Sequence, residues 1–167
     1  IRCDEHEDNV ALFYYCGHGF EKDHHYLLAD DFGEKPLTPW LGAFNFDHTR
    51  NAFYGCKAKT QIWFVDACRE VNFDMISKTL SIPPLDDPSL YNPEEKINHL
   101  TLKSTAAGQS AYSKKNEVAY FTQAVISGMD GMLAMQDENN HWVVDTGEFA
   151  SKINRIMDQL NPDWKAR

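Results

Sequence analysis

An α/β domain built around a largely parallel sheet is what this chain of 167 residues predicts, and three observations carry the prediction. Two β-prone apolar runs, Val10-Ala11-Leu12-Phe13-Tyr14-Tyr15 and Gln61-Ile62-Trp63-Phe64-Val65, each stop at a glycine or polar cluster, as strands buried on both faces do. Helical patterns alternate with these runs, which is the ordering of a parallel sheet with crossover connections. The hydrophobic content of 43% and aromatic content of 13% suit one globular domain over residues 1–167 and exclude a disordered chain.

The elements follow in order. Val10 to Tyr15 predicts a strand that Gly17 and Gly19 bring to an end. Tyr26-Leu27-Leu28-Ala29 predicts a short hairpin arm. Thr38-Pro39-Trp40 reads as a cap with proline at the first helical position, so Leu41 to Tyr54 is expected to hold the crossover helix. Gln61 to Val65 predicts the second strand. Residues 70–97 lose periodicity and carry Pro83, Pro84, Pro88 and Pro93, which predicts a long loop or linker. His99 to Ser104 predicts a third strand. Glu117 to Asp130 places Val118, Phe121, Val125, Gly128 and Met129 on one helical face. Met132-Leu133-Ala134-Met135 and Trp142-Val143-Val144 flank a polar run and predict a hairpin. Asp145 and Glu148 have capping-box spacing, ahead of an amphipathic helix lined by Phe149, Ile153, Ile156 and Leu160.

Charge and cysteine usage narrow the function. With 16 basic against 25 acidic side chains the net charge is −9, the wrong sign for a nucleic-acid binder and the right one for attracting cationic peptides. No apolar stretch reaches the ~20 residues that span a bilayer, and the first residues lack the pattern of a secretory signal, so neither membrane nor export is expected. The four cysteines show no disulfide framework, and a reducing, cytoplasmic setting is expected. Cys3 and His6 lack the second half of a zinc site, and Asp30-Asp31 and Asp86-Asp87 lack a calcium loop, so no metal site is expected.

The chemistry concentrates at the ends of the two apolar runs. Cys16-Gly17-His18-Gly19 ends the first and Asp66-Ala67-Cys68-Arg69 the second, with His18 and Cys68 separated by 68 − 18 = 50 positions. In parallel sheets, catalytic groups lie beyond the carboxyl ends of the strands. If the two strands are neighbours, the thiol and imidazole converge, the minimum equipment for nucleophilic attack on a carbonyl. Cys68 is then the nucleophile and His18 the general base and later the acid to the leaving amine. The N–H groups of Gly19 and Cys68 are expected to form an oxyanion hole, each donor contributing ~3 kcal/mol to the transition state. Asp66, two positions before Cys68, shares its strand face and can bind a substrate Arg or Lys, a guanidinium with two parallel hydrogen bonds.

Each residue also has a plainer reading. A lone Cys after a strand is commonly a small core residue, a lone His a structural group, and Asp66 a loop cap or a partner of Arg69. His24 and His25 follow a charged turn and are expected at the solvated rim. Cys16 reads as a core or near-site thiol, with an alternative nucleophilic role left open, and Cys56 carries no assignment. It is the agreement of strand ends, glycines and spacing that favours the joint reading.

Phe13-Tyr14-Tyr15-Cys16-Gly17-His18-Gly19 and Phe64-Val65-Asp66-Ala67-Cys68-Arg69 resemble the caspase clan of cysteine peptidases. Ala67, Cys68 and Arg69 match the caspase signature, while Asp66 stands in place of its Gln and Glu70 in place of its Gly. That departure resembles metacaspases and their bacterial relatives. Ser104-Thr105-Ala106-Ala107-Gly108-Gln109-Ser110-Ala111-Tyr112 and Tyr120-Phe121-Thr122-Gln123-Ala124 are similar to bacterial caspase-like domains. The likeness covers most of Asn9 to Met132. It implies a caspase-like hemoglobinase fold, a mostly parallel sheet flanked by helices. It also implies a strand and helix ahead of the His-bearing strand, which this chain lacks and which another chain or segment is expected to supply.

The same resemblance implies an endopeptidase that cuts after Arg or Lys without a cofactor, although calcium activates some relatives. Its partners would be protein or peptide substrates, with a sensor or activating domain or a second protease chain, in bacterial defence or cell death. Lys78 and Lys96 in the long loop are candidate self-cleavage sites. The alternatives are an inactive caspase-fold adaptor and, last, a flavodoxin-like binding domain, which would need a phosphate-cradling glycine loop absent from this sequence.

Overall fold

The computed structural model describes residues 6, 8–35, 37–38, 40–69, 82–85, 97–105 and 117–160. They fall into two compact units, residues 1–111 and 112–167. The loop expected over residues 70–97 lies outside the described residues except at its margin and at 82–85.

The first unit is a five-stranded mixed sheet. Its strands are β1 (Val10–Glu21), β2 (His25–Leu28), β3 (Ala43–Asn45), β4 (Thr60–Ala67) and β5 (Asn98–Lys103), in the spatial order β3-β2-β1-β4-β5. β1, β4 and β5 are mutually parallel, and β2 and β3 add antiparallel to the far side of β1. The three expected strands are therefore the parallel part, and the hairpin arm is β2. β1 is longer than the apolar run suggested, because Gly17 and Gly19 lie within the strand. It changes partner at that point: Val10 to Gly17 pair with β4, and His18 to Glu21 pair with β2.

Two further expectations are corrected. No helix begins at Thr38; the chain forms β3 first, and α1 (Phe46–Ala52) starts after Asn45, whose side chain accepts the His48 N–H at 3.0 Å. Asn45 is a proper N-cap, worth about 1 kcal/mol over alanine, and Thr38 has no such role. β1 is also not buried on both faces among the described residues: Val10, Leu12 and Tyr14 are exposed, while Phe13 and Tyr15 pack inward.

The inward face meets α1 and the 3₁₀ turn Phe53–Gly55. Leu27, Phe46, Trp63 and Val65 are almost fully buried there, each stabilising the fold by roughly 1.5–3 kcal/mol. Phe53 and Trp63 meet edge to face with centroids 5.0 Å apart. Buried Gln61 ties this turn to β4, its amide donating to Phe53 O at 2.6 Å and Ala58 O at 3.2 Å.

The second unit holds α2 (Tyr120–Ser127), a turn over Gly128–Met132, a small hairpin of β6 (Met135–Gln136) and β7 (Trp142–Val143), and α3 (Thr146–Leu160). Asp145 caps α3, its carboxylate accepting the Glu148 N–H at 2.7 Å. Phe149, Ile153, Ile156 and Met157 form its buried stripe; Leu160 lies at the exposed end. On α2 the buried residues are Phe121, Thr122, Ala124 and Val125, while Val118 and Met129 are exposed. No helix among the described residues is long and apolar enough to cross a membrane.

Candidate active site

The site begins with the pairing of β1 and β4. Their parallel register sets Cys16 against Asp66 and Gly17 against Ala67. His18 is the next residue on β1, and Cys68 is the first residue past the end of β4. By alternation within β1, His18 shares the face of Cys16. His18 is exposed, Cys68 half-buried and Asp66 only 3% exposed.

Glycines allow the close approach. A Cβ on Gly19 would lie 2.9 Å from the Cys68 carbonyl oxygen and 3.0 Å from that of Tyr26, so β1 passes closer to both backbones than a side chain permits. A Cβ on Gly17 would lie 2.7 Å from the Tyr15 hydroxyl. That phenol crosses over Gly17 and shares its proton between the carbonyls of His18, at 2.7 Å, and Leu28, at 2.5 Å. The Leu28 N–H donates back to it at 3.1 Å. Burial, partly offset by the Leu28 bond, pushes the Tyr15 phenol above its ordinary pKa, so it remains a donor. Tyr15 thereby fixes the backbone that carries His18. Beside it a pocket of about 470 Å³ is lined by Cys16, Gly17, His18 and Asp30, among others.

The segment after β4 is held from three directions. Thr105 Oγ1 donates to Ala67 O at 3.0 Å. His25 Nε2 lies 3.2 Å from Cys68 O. Arg69 donates to Thr105 O at 3.2 Å and pairs with Glu21 at 2.6 Å. Arg69 thus pairs with Glu21 at the end of β1.

His25 corrects the expectation of a solvated rim residue, since it is fully buried at the start of β2. Burial first, then the positive charges of Lys103 and Arg69, lower its pKa from 6.5 to about 4. The ring is therefore neutral at pH 7. Because a carbonyl only accepts, the proton sits on Nε2, and Nδ1 has no hydrogen-bond partner among the described residues. Asp47 completes the surroundings: it accepts the His25 N–H at 2.8 Å and lies 3.4 Å from Lys103 Nζ. Burial alone would raise the Asp47 carboxyl, but the His25 N–H and the Lys103 ammonium outweigh it and hold it below the ordinary range. Burial lowers the Lys103 ammonium, with Asp47 opposing.

His25, Thr105 and Glu21 escaped the sequence reading as site residues. Thr105 lies two residues past the end of β5, a position that flanks the end of β4 in a parallel sheet, and this is the signal the sequence offers. His25 opens the run His25-Tyr26-Leu27-Leu28, of which only Tyr26 onward was read as strand.

The family model for the caspase domain, a peptidase family, matches residues 1–160. An uncharacterized protein of Sinorhizobium fredii, y4kE, is 29% identical over 164 residues, which cover 93% of this chain and 46% of that protein. The chain thus spans about half the length of the curated relative it matches.

Proposed function

This chain belongs to the caspase-domain family of cysteine peptidases, and on that premise we propose that it is an endopeptidase that cleaves after Arg or Lys through Cys68 and His18. The observation that supports this reading is the β1–β4 register, which ends at Gly17 with Ala67, one residue before His18 and Cys68.

In the proposed mechanism the Cys68 thiol gives its proton to His18, and the sulfur attacks the scissile carbonyl carbon. The carbonyl oxygen becomes an oxyanion facing the N–H groups of Gly19 and Cys68. The C–N bond breaks, His18 returns the proton to the leaving amine, and water hydrolyses the thioester to regenerate the thiol. No cofactor takes part. Asp66 selects the basic side chain. Its place two residues before Cys68 supports this, since a carboxylate there can meet a guanidinium with two parallel hydrogen bonds. The net charge of −9 favours approach of cationic substrates. We place the enzyme in the cytoplasm, acting in a bacterial defence or cell-death pathway and coupled to a sensor, activating domain or second protease chain.

A fluorogenic peptide panel that varies only the residue before the cleaved bond tests the reading. Turnover confined to Arg and Lys, together with mass labelling of Cys68 by an Arg-directed chloromethylketone, is the expected result. Folded protein that neither cleaves nor labels is an adaptor instead.

A further inference from the structure

The hydrogen-bond ladders that flank β4 stop short of Cys68. On one side the register ends at Gly17 with Ala67; on the other it ends at Val65 with Lys103, followed by a single bond from Ser104 N–H to Val65 O at 2.9 Å. Beyond that point side chains take over the work of the ladder. Cys68 lies between two peptide units, and the carbonyl of each accepts from a side chain on a different strand end. Thr105, 8% exposed, donates its hydroxyl to Ala67 O at 3.0 Å. His25, 0% exposed, donates Nε2–H to Cys68 O at 3.2 Å.

A trans peptide is planar, with its C=O and N–H pointing in opposite directions. The Ala67 carbonyl shares its peptide unit with the Cys68 N–H, so holding one aims the other. The Cys68 carbonyl belongs to the following unit. Fixing both planes fixes the two soft dihedrals of Cys68, and with them the direction of its Cα–Cβ bond.

We propose that Thr105 and His25 are positioning residues, a two-point clamp on the peptide units either side of Cys68 that aims its N–H at the oxyanion. This rests on the reading of Cys68 as the nucleophile. Neither residue touches substrate. Their effect falls on charge that develops only in the transition state, and so on kcat rather than KM. Thr105 is further held by Arg69, whose guanidinium donates to the Thr105 carbonyl while paired with Glu21. Burial first, and then the charges of Lys103 and Arg69, keep the His25 ring neutral, which preserves the tautomer that donates to Cys68.

The test compares Thr105→Val, which keeps the shape but removes the donor, with Thr105→Ser, which keeps the donor. It is made in the full chain with a peptide amide that the wild type cleaves. Thr105→Val is expected to lower kcat about 100-fold with KM little changed, as loss of an aimed donor does. Thr105→Ser should restore most of kcat. Alkylation of Cys68 by iodoacetamide, followed by mass spectrometry of its peptide, is the second readout. That displacement occurs at a saturated carbon and forms no oxyanion, so its rate and pH profile should be unchanged in Thr105→Val.

The pair His25→Leu and His25→Gln repeats the comparison from the other carbonyl, and serves alone if Thr105→Val does not fold. His25→Leu should lower kcat, and the amide of His25→Gln should recover it in part. Turnover and alkylation that fall together, no loss of kcat in either donor-less variant, or donor-retaining variants as impaired as their partners would each overturn the clamp. A wild type that cleaves no peptide overturns the nucleophile reading itself, and the clamp falls with it.

Discussion

Arg69 Nη2 lies 2.6 Å from Glu21 Oε1, which ties the residue after Cys68 to the last residue of the strand that carries His18. The two side chains are 17% and 19% exposed, so neither charge is well hydrated if its partner is lost. A buried pair often contributes little net stability, yet removing one partner strands the other. Glu21→Ala and Arg69→Ala should each destabilise the fold by about 2–4 kcal/mol, and the double variant by clearly less than their sum. Urea unfolding of the four proteins checks this, and additivity would show that the pair carries no coupling.

Acid should weaken the protein through His25. Its pKa is about 4 in the fold and 6.5 in an unfolded chain, so between those values the unfolded state binds the extra proton. Stability from this group is complete above pH 6.5 and declines as pH falls towards 4, by roughly 3 kcal/mol in all. Asp47, held below its ordinary range, adds a separate loss at still lower pH. Denaturant unfolding at pH 4 to 7 should show the slope in the wild type and a flatter line in His25→Gln. Equal slopes would reject the buried neutral ring.

The two glycines of the His18 segment should respond differently to alanine. At Gly19 the new methyl meets backbone oxygens of Cys68 and Tyr26, which cannot swing aside, so Gly19→Ala should cost about 1–3 kcal/mol in any background. At Gly17 the obstacle is the Tyr15 phenol, the far end of a side chain. Gly17→Ala should therefore cost less in a Tyr15→Phe background than alone, by more than about 0.5 kcal/mol. Thermal unfolding of both single variants and the pair decides the matter.

Activity divides the proposed roles. Cys68→Ala should abolish peptide turnover, and His18→Ala should reduce it by about 10²–10⁴, the usual contribution of a general base. Asp66→Ala should lose cleavage after Arg and Lys while circular dichroism remains that of the folded protein. An unchanged preference for the residue before the cut would remove Asp66 from the specificity pocket.

The parallel strands were legible in the sequence because burial on a pleated surface leaves a local mark: Gln61 to Val65 and His99 to Ser104 are continuous β-prone runs with clear ends. The helix after β3 lies within Leu41 to Tyr54 as expected, but its start does not fall at Thr38, for an equally local reason. Thr38-Pro39 has the composition of a helix start, but Asn45 has both that composition and the bonding geometry, and composition alone cannot rank the two. The exposed face of β1 was invisible, since an apolar run does not say which of its sides the fold covers.

From its sequence alone the chain determined two apolar strands, one running into Cys16-Gly17-His18-Gly19 and one into Asp66-Ala67, next to Cys68. Such strands are written in short β-prone apolar runs, although the glycines did not end the first, which continues to Glu21. Only the tertiary structure decided what holds that edge together. Thr105, His25 and Glu21 reach the 67–69 segment across 38, 43 and 48 positions of chain. Such contacts follow from strand order and register, and no periodicity within a single segment records them.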